Sequence, residues 1–235
     1  MIDYEHCWSG EWNDTTAYGP ACRHRRRIVA QLVKQLPRGK ILDLGCGDGS
    51  LLFELSHMIE GVFSGADVSE QGLSLAKRNN PSMTFTLIDL ASSFKIDPQD
   101  IVIMSEVLEH IPDDESVLKS LAASTRFVVI SVPGGPASKI DKRCGHFRNY
   151  DQDLLRQKLE RSGFEVVRYF RWGWPFHDLM QWISDIGGAG DRVTAGRFGL
   201  LTKAMATMLH GLYYLNSMRM GSQVFAVGKS KLRST

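Results

Sequence analysis

Ile41-Leu42-Asp43-Leu44-Gly45-Cys46-Gly47-Asp48-Gly49-Ser50 is the stretch on which the fold turns. Ile41 to Leu44 is a short apolar run, the glycines form a turn, and Ser50 to Met58 resumes helical spacing, so the segment reads strand, glycine turn, helix. Glycines in such a turn let a ligand lie against bare backbone. A dinucleotide would fit this shape, but its pyrophosphate would sit at the helix N-terminus, where an added carboxylate repels it. Asp43, two positions before Gly45, suits a cationic ligand instead. The third glycine also follows after one intervening residue, where GxGxxG has two. S-adenosylmethionine carries a sulfonium and an ammonium group, both of which favour a nearby anion. The other reading is a plain turn in which Asp43 satisfies backbone donors.

Outward from this turn the chain alternates. An amphipathic helix precedes it at His24 to Leu36. Strands are expected at Val62 to Ala66, Met83 to Ile88, Ile101 to Ser105 and Phe127 to Val132, with helices at Ser69 to Arg78 and Asp113 to Ala123. After a Gly/Pro-rich loop come a helix at Asp151 to Ser162 and strands at Glu165 to Phe170 and Gln223 to Gly228. This predicts an α/β fold: a Rossmann-like, seven-stranded, mostly parallel sheet with helices on both faces and a helical insertion between the last two strands. The expected division is a helical cap over 1–38, a cofactor-binding core over 39–170, a helical insertion or lid on the acceptor side over 171–222, and a final strand and tail over 223–235.

Acids close the next two strands. Asp67, about twenty residues after the glycine loop, is placed to accept from ribose hydroxyls; Ser69 is the better helix cap. Asp89 is placed to accept from an adenine amino group, or merely forms a turn. The segments ILDLGCGDG (41–49), ADVSE (66–70), IVIMSEVLEHIPDD (101–114), GHFRNYDQDLLRQKLERSGFEVV (145–167) and SQVFAVGKS (222–230) resemble the class I S-adenosylmethionine-dependent methyltransferases. The likeness is to their small-molecule branch, with the ubiquinone-type O-methyltransferases. It implies an antiparallel last strand and a cofactor site made of Asp43, Gly45, Cys46, Gly47, Gly49, Asp67, Val68, Asp89, Leu90, Ser105 and Glu106, with the backbone around Ser105 and Glu106 lining the methionine end.

On the reaction side, Glu106, Glu109 and His110 match the E-x-x-E-H pattern that holds a divalent ion in the ubiquinone-type enzymes; the expectation for this chain is no metal. His146 is the candidate general base, with His110 as an acceptor-facing or structural alternative. Equally open is that His146, Arg148 and Tyr150 only pin their loop. The insertion, including a helix at Leu200 to Met218, is rich in Trp, Met, Leu and Tyr, which suits either core or an apolar acceptor pocket. Trp8, Trp12 and Tyr18 could close the other side of that pocket.

Composition narrows the classes. With 28 Lys plus Arg against 26 Asp plus Glu, net +2, there is no field for nucleic acid, and Arg23 to Arg27 read as a solvated face. Four scattered cysteines give no zinc spacing and fit reduced thiols in the cytoplasm. No transmembrane segment is expected, and Lys203 and Arg219 are too few basic residues to favour peripheral membrane contact. The expected function is methyl transfer from S-adenosylmethionine to an O, N or C atom of a small-molecule acceptor, aromatic or lipidic. The alternative is a cofactor-binding scaffold or regulatory subunit without catalysis.

Overall fold

A computed structural model of the protein describes residues 4–92, 94–187 and 197–233. Seven strands lie in the order β3-β2-β1-β4-β5-β7-β6: β1 (Lys40–Leu44), β2 (Val62–Asp67), β3 (Thr84–Leu87), β4 (Gln99–Ser105), β5 (Thr125–Pro133), β6 (Phe164–Trp172) and β7 (Gln223–Ser230). β1 to β5 pair in parallel, and β7 runs antiparallel between β5 and β6. The expected strand positions and the antiparallel last strand are thus observed.

The two-residue period of the central strands explains the layers. Leu42, Leu44, Val102, Met104, Val128 and Ile130 bury themselves on one side, in a cluster with Val117, Leu118 and Leu121 of α6 (Asp114–Ser124) and Leu155 and Leu159 of α8 (Gln152–Arg161). Ile41, Ile101, Ile103 and Val129 go to the other, against Ile28, Val29, Leu32 and Val33 of α3 (Pro20–Lys34). Each such side chain contributes roughly 1.5–3 kcal/mol on burial. Helix α3 starts at Pro20, whose fixed φ suits a first turn.

Two expectations about α3 and the insertion are corrected. Arg25, Arg26 and Arg27 are not a solvated face. Arg25 pairs with Glu106 at 3.4 Å, Arg26 with Glu54 at 2.7 Å, and Arg27 lies over the Tyr214 ring. Neighbours pack around α3: α2 (Asn13–Tyr18) on one part and α10 (Leu200–Leu212) on another. The insertion carries α9 (Phe176–Gly187) and α10, and α10 gives way to a 3-10 turn at Tyr213–Leu215, short of Met218. Of α10 only Ala206 is buried, while Leu200, Leu201, Met205 and Met208 are exposed, so it is not a core helix. Residues 188–196 of the expected insertion, and residues 1–3 of the expected cap, lie outside the described residues.

One buried polar cluster fixes the loop that follows β5. Asp114, at 1% exposure, accepts from the Tyr150 hydroxyl and from Lys158 Nζ, each at 2.5 Å, and lies 3.2 Å from Arg148. Arg148 also donates to the carbonyls of Ile111 and Pro112. Removing the carboxylate would leave the Lys158 ammonium and the Tyr150 hydroxyl without the partner that the described residues give them, and Arg148 without its counter-charge. Asp114→Ala is therefore expected to destabilise the fold by about 3–5 kcal/mol, read as a lower denaturation midpoint in urea. A change within about 0.5 kcal/mol would show that the cluster does not hold the loop.

Candidate functional site

β1 ends in the glycine loop, and the loop bends where the sequence put glycine. Gly45, Gly47 and Gly49 have φ of +81°, +52° and +73°, a region that favours glycine. Helix α4 (Ser50–Ser56) follows, and the N–H groups of Gly45 and Cys46 both donate to the Ala66 carbonyl, tying the loop to β2. Asp67, at the end of β2, strengthens that tie: its carboxylate accepts from Gly47 N at 2.8 Å and Ser69 N at 2.9 Å. Ser69 caps α5 (Glu70–Asn79) by accepting from Gly72 N, as expected. Cys46 is buried, and burial raises its thiol pKa well above normal, so it is an inert wall.

Asp43 is the unusual acid. It is 2% exposed, Oδ1 has no hydrogen-bond partner among the described residues, and burial beside Asp67 and Asp48 pushes its pKa up to about 8. Among the described residues its Oδ1 satisfies no backbone donor, which argues against the plain-turn account for this residue. Asp67 is also raised, by burial, against the opposing pull of its hydrogen bonds from Ser69 and Gly47. Three acids thus meet at one glycine loop. Such a set is costly in the empty protein and favourable once a cation arrives.

Val68 is exposed beside Asp67. Asp89 is exposed at the end of the loop after β3; its Oδ1 accepts from Ala91 N at 2.8 Å, so it forms the turn that holds Leu90. Ser105 closes β4, with its hydroxyl 2.8 Å from that of Ser131 on β5. Glu106 follows with φ of +60°, the one non-glycine residue with positive φ among those described. Strain of this kind persists only where the surroundings impose it. Here Gln223 Nε2 donates to Glu106 Oε1 at 2.7 Å, and Arg25 pairs with Oε2. β4, β7 and α3 thereby converge on one carboxylate.

Glu106 is therefore turned away from the expected E-x-x-E-H set. The side chains that do meet are Glu109, His110 and His146, with one ligating atom from each within 4.8 Å of the others. Glu109 is fully buried, neither carboxylate oxygen has a partner among the described residues, and burial together with Glu106 raises its pKa well above normal. Burial and the nearby His146 lower His110 to about 4. The two imidazole rings stand edge to face at 4.7 Å. A buried acid whose pKa is raised, packed beside two imidazoles, is suited to passing protons; the same three groups could also gather around a small cation.

His146 is placed by its backbone, whose N–H donates to the Asp141 carbonyl, and the next N–H, of Phe147, donates to the Glu109 carbonyl. Its Nδ1 lies 3.5 Å from Asp141 Oδ1, too far to satisfy it. Asp141 is itself anchored by Ser138 N and Asn149 Nδ2. Arg148 and Tyr150 hold the loop through Asp114 and are not free for proton transfer.

Sequence reasoning missed how the N-terminal segment sits. Glu5, at the helical turn α1 (Tyr4–His6), accepts from Glu70 N and Gln71 N at 2.7 and 2.9 Å, capping α5 across 65 and 66 positions. Trp8 is buried against the glycine loop: a Cβ added at Gly47 would come 2.3 Å from its ring. The Tyr4 ring meets His110 at 5.9 Å, and burial with Glu109 and Asp67 nearby raises its hydroxyl pKa. This segment thus roofs the ground between the ends of β2 and β4. The aromatic density of Tyr4, Trp8 and Trp12 was the available signal.

A family model described as a methyltransferase domain matches residues 21–169. The chain is 31% identical over 129 residues to a trans-aconitate 2-methyltransferase of Methylobacterium nodulans, covering 53% of this chain and 47% of the other. It is 35% identical over 102 residues to a ubiquinone biosynthesis O-methyltransferase of Thiobacillus denitrificans, covering 41% of each. The match thus spans less than half the length of these two curated relatives. The structure of the N-methyltransferase NodS from Bradyrhizobium japonicum, in complex with S-adenosyl-L-homocysteine, superposes with a TM-score of 0.63 over 97% of this chain and 96% of that one, at 11% identity, which is a likeness of fold. With its matched domain, its seven-stranded sheet and its glycine loop, the chain belongs to the class I methyltransferase family.

Proposed function

We infer that the protein transfers a methyl group from S-adenosylmethionine to an O, N or C atom of a small-molecule acceptor, in the cytoplasm. The observation that carries this reading is the buried Asp43 beside a left-handed glycine loop, its Oδ1 without a hydrogen-bond partner among the described residues. A cationic ligand there favours the ionised form of a carboxyl that burial and the neighbouring acids otherwise hold protonated. Asp67 and the backbone of Val68 then face the ribose, Asp89 and Leu90 the adenine, and Ser105 and Glu106 the methionine end. The transfer itself needs the sulfonium methyl and the acceptor atom held in line with water excluded. The roof of Tyr4 and Trp8 is suited to that exclusion.

The charge state of Asp43 supplies the test. In the empty protein its carboxyl holds a proton up to about pH 8, whereas an ordinary aspartate loses it near 3.8. Between those values the folded state binds more protons than the unfolded, so this residue removes stability as pH rises. A bound cation favours the ionised form, so binding at pH 7 releases protons. Calorimetric titration with S-adenosylmethionine in buffers of different ionisation enthalpy is expected to show a release that fades above pH 8 and is lost in Asp43→Asn, together with most of the affinity. Unchanged affinity and unchanged proton release in that variant would remove Asp43 from the site. Release of S-adenosylhomocysteine in the presence of metabolite extracts separates turnover from a binding-only scaffold.

A second reading has one observation in its favour, the orphaned Glu109 carboxylate beside His110 and His146. A divalent ion held by those three would polarise an acceptor oxygen. Turnover in excess EDTA decides it. Full activity is expected, and complete loss restored by magnesium would favour the ion.

A further inference from the structure

A second recess lies on the same edge of the sheet as the cofactor corner. Its volume is about 580 Å³, and its walls come from Gly134 and Gly135 after β5, Arg171 near the end of β6, Trp174 and Trp182 of the insertion, and Arg219 and Ser222 before β7. The next residue along β7 is Gln223, whose side chain holds Glu106 at the end of β4. One β-residue thus separates this recess from the carboxylate that borders the proposed methionine end. The glycine loop, the strand-end acids and the His146 cluster contribute none of its walls.

Its chemistry is two-sided. Trp174 and Trp182 are 51% and 61% exposed, and Met220 on the same wall is 58% exposed. Large apolar side chains gathered round a concavity mark a place that something apolar covers. Among the described residues neither Arg171 nor Arg219 pairs with a carboxylate. Arg171 donates its Nε to the Gly221 carbonyl at 2.7 Å, which fixes the direction of the guanidinium while leaving its terminal nitrogens for a ligand. The acids of the wall are already engaged. Asp178 accepts from Ser222 N at 3.0 Å and Ser222 Oγ at 2.8 Å, and Asp185 accepts from Lys139 N at 3.2 Å. A cationic acceptor would meet the terminal nitrogens of Arg171 and the guanidinium of Arg219, which pair with no carboxylate among the described residues, and a purely apolar one would leave them unused.

We propose that this recess is the acceptor subsite and that it takes an amphiphilic anion, with a carboxylate or phosphate group between Arg171 and Arg219 and an apolar body along Trp174, Trp182 and Met220. The assignment rests on the methyltransferase reading only for the word acceptor; the binding chemistry stands on the recess itself. The full chain is first titrated calorimetrically with S-adenosylhomocysteine, then with octyl phosphate, octanoate, 1-octanol, octyltrimethylammonium and inorganic phosphate. The amphiphiles are kept below their micelle concentrations, and tryptophan fluorescence is followed in parallel. The two octyl anions are expected to bind about tenfold or more tightly than octanol and than inorganic phosphate, and octyltrimethylammonium not at all. Whichever anion binds more tightly identifies the headgroup. Arg219→Gln, an exposed residue that no fold contact needs, is expected to weaken the octyl anions about tenfold while leaving octanol unchanged. Trp182→Ala is expected to weaken both octyl anions while leaving S-adenosylhomocysteine binding intact. Octanol or the ammonium binding as tightly as the anions, no octyl probe binding, or Arg219→Gln retaining full affinity for the anions would overturn the proposal. Failure of wild-type protein to bind S-adenosylhomocysteine strikes the methyltransferase reading instead, and the octyl arms are then read on the protein alone.

Discussion

Gly47→Val is expected to abolish binding of S-adenosylhomocysteine, lowering affinity by more than about 100-fold while leaving the sheet folded. Two effects act together. Gly47 sits at φ +52°, where a β-branched residue is strained. In addition, a Cβ there would come 2.3 and 2.5 Å from two carbons of the Trp8 ring, so the ring and the segment that carries it must move. The Gly47 N–H that donates to Asp67 is lost or bent as the loop shifts, and with it the placement of the carboxylate proposed to face the ribose. Circular dichroism checks the fold and calorimetry the binding. The double variant Gly47→Val with Trp8→Ala separates the causes: recovery of binding assigns the loss to the displaced roof, and no recovery assigns it to the loop backbone. Near-wild-type affinity in Gly47→Val itself would contradict the loop assignment.

Much of this site could be read from local sequence because its determinants are local. An apolar run ending in spaced glycines specifies a strand and a left-handed turn within ten residues, and an acid at the next strand end needs only the βα period to place it. What could not be read depends on contacts between distant positions. Glu5 caps α5 from 65 positions away, and Arg25 meets Glu106 only because α3 packs on the sheet beside the end of β4. A run of arginines has the same composition whether solvated or threaded into neighbours, so Arg25 to Arg27 looked like surface. The E-x-x-E-H spacing does not by itself show which side chains meet: the chain makes a left-handed residue at Glu106 and a 3-10 turn at Leu108–His110, which sends Glu106 towards Arg25 and brings Glu109 and His110 together with His146. Helix α10 was read too long because Tyr213 to Leu215 keep apolar spacing while the backbone tightens into a 3-10 turn.

The positive φ of Glu106 links the two halves of the proposed site. Its carboxylate is shared by Gln223 and Arg25, so the start of β7 and the middle of α3 move with the end of β4. The acceptor recess begins at Ser222, adjacent to Gln223, and the proton-handling cluster begins at Glu109, three residues after Glu106. Both sides of the reaction are thereby referred to one rigid corner, as placement of an acceptor against a methyl donor demands.

His146→Ala is expected to lower kcat by about 10²- to 10⁴-fold on a hydroxyl acceptor, with affinity for S-adenosylhomocysteine close to wild type. His146 is held over the end of β5 by its own N–H to Asp141 and by the neighbouring Phe147 N–H to Glu109. Its side chain is 10% exposed, which shields a transferred proton from bulk water, and its Nδ1 faces Asp141 without a satisfied bond, 3.5 Å away. That contact is suited to tightening as the imidazole gains charge, so Asp141→Asn is expected to lose kcat by a smaller factor than His146→Ala. A merely structural histidine predicts something different: loss of stability, and no response to small bases. Added imidazole is therefore expected to restore part of the kcat of His146→Ala and none of that of Gly47→Val. Full turnover persisting in EDTA keeps the step with the imidazole. Retention of nearly full kcat by His146→Ala would reduce the residue to a loop support and pass the proton to His110 or Glu109, or show that the acceptor atom carries none to lose.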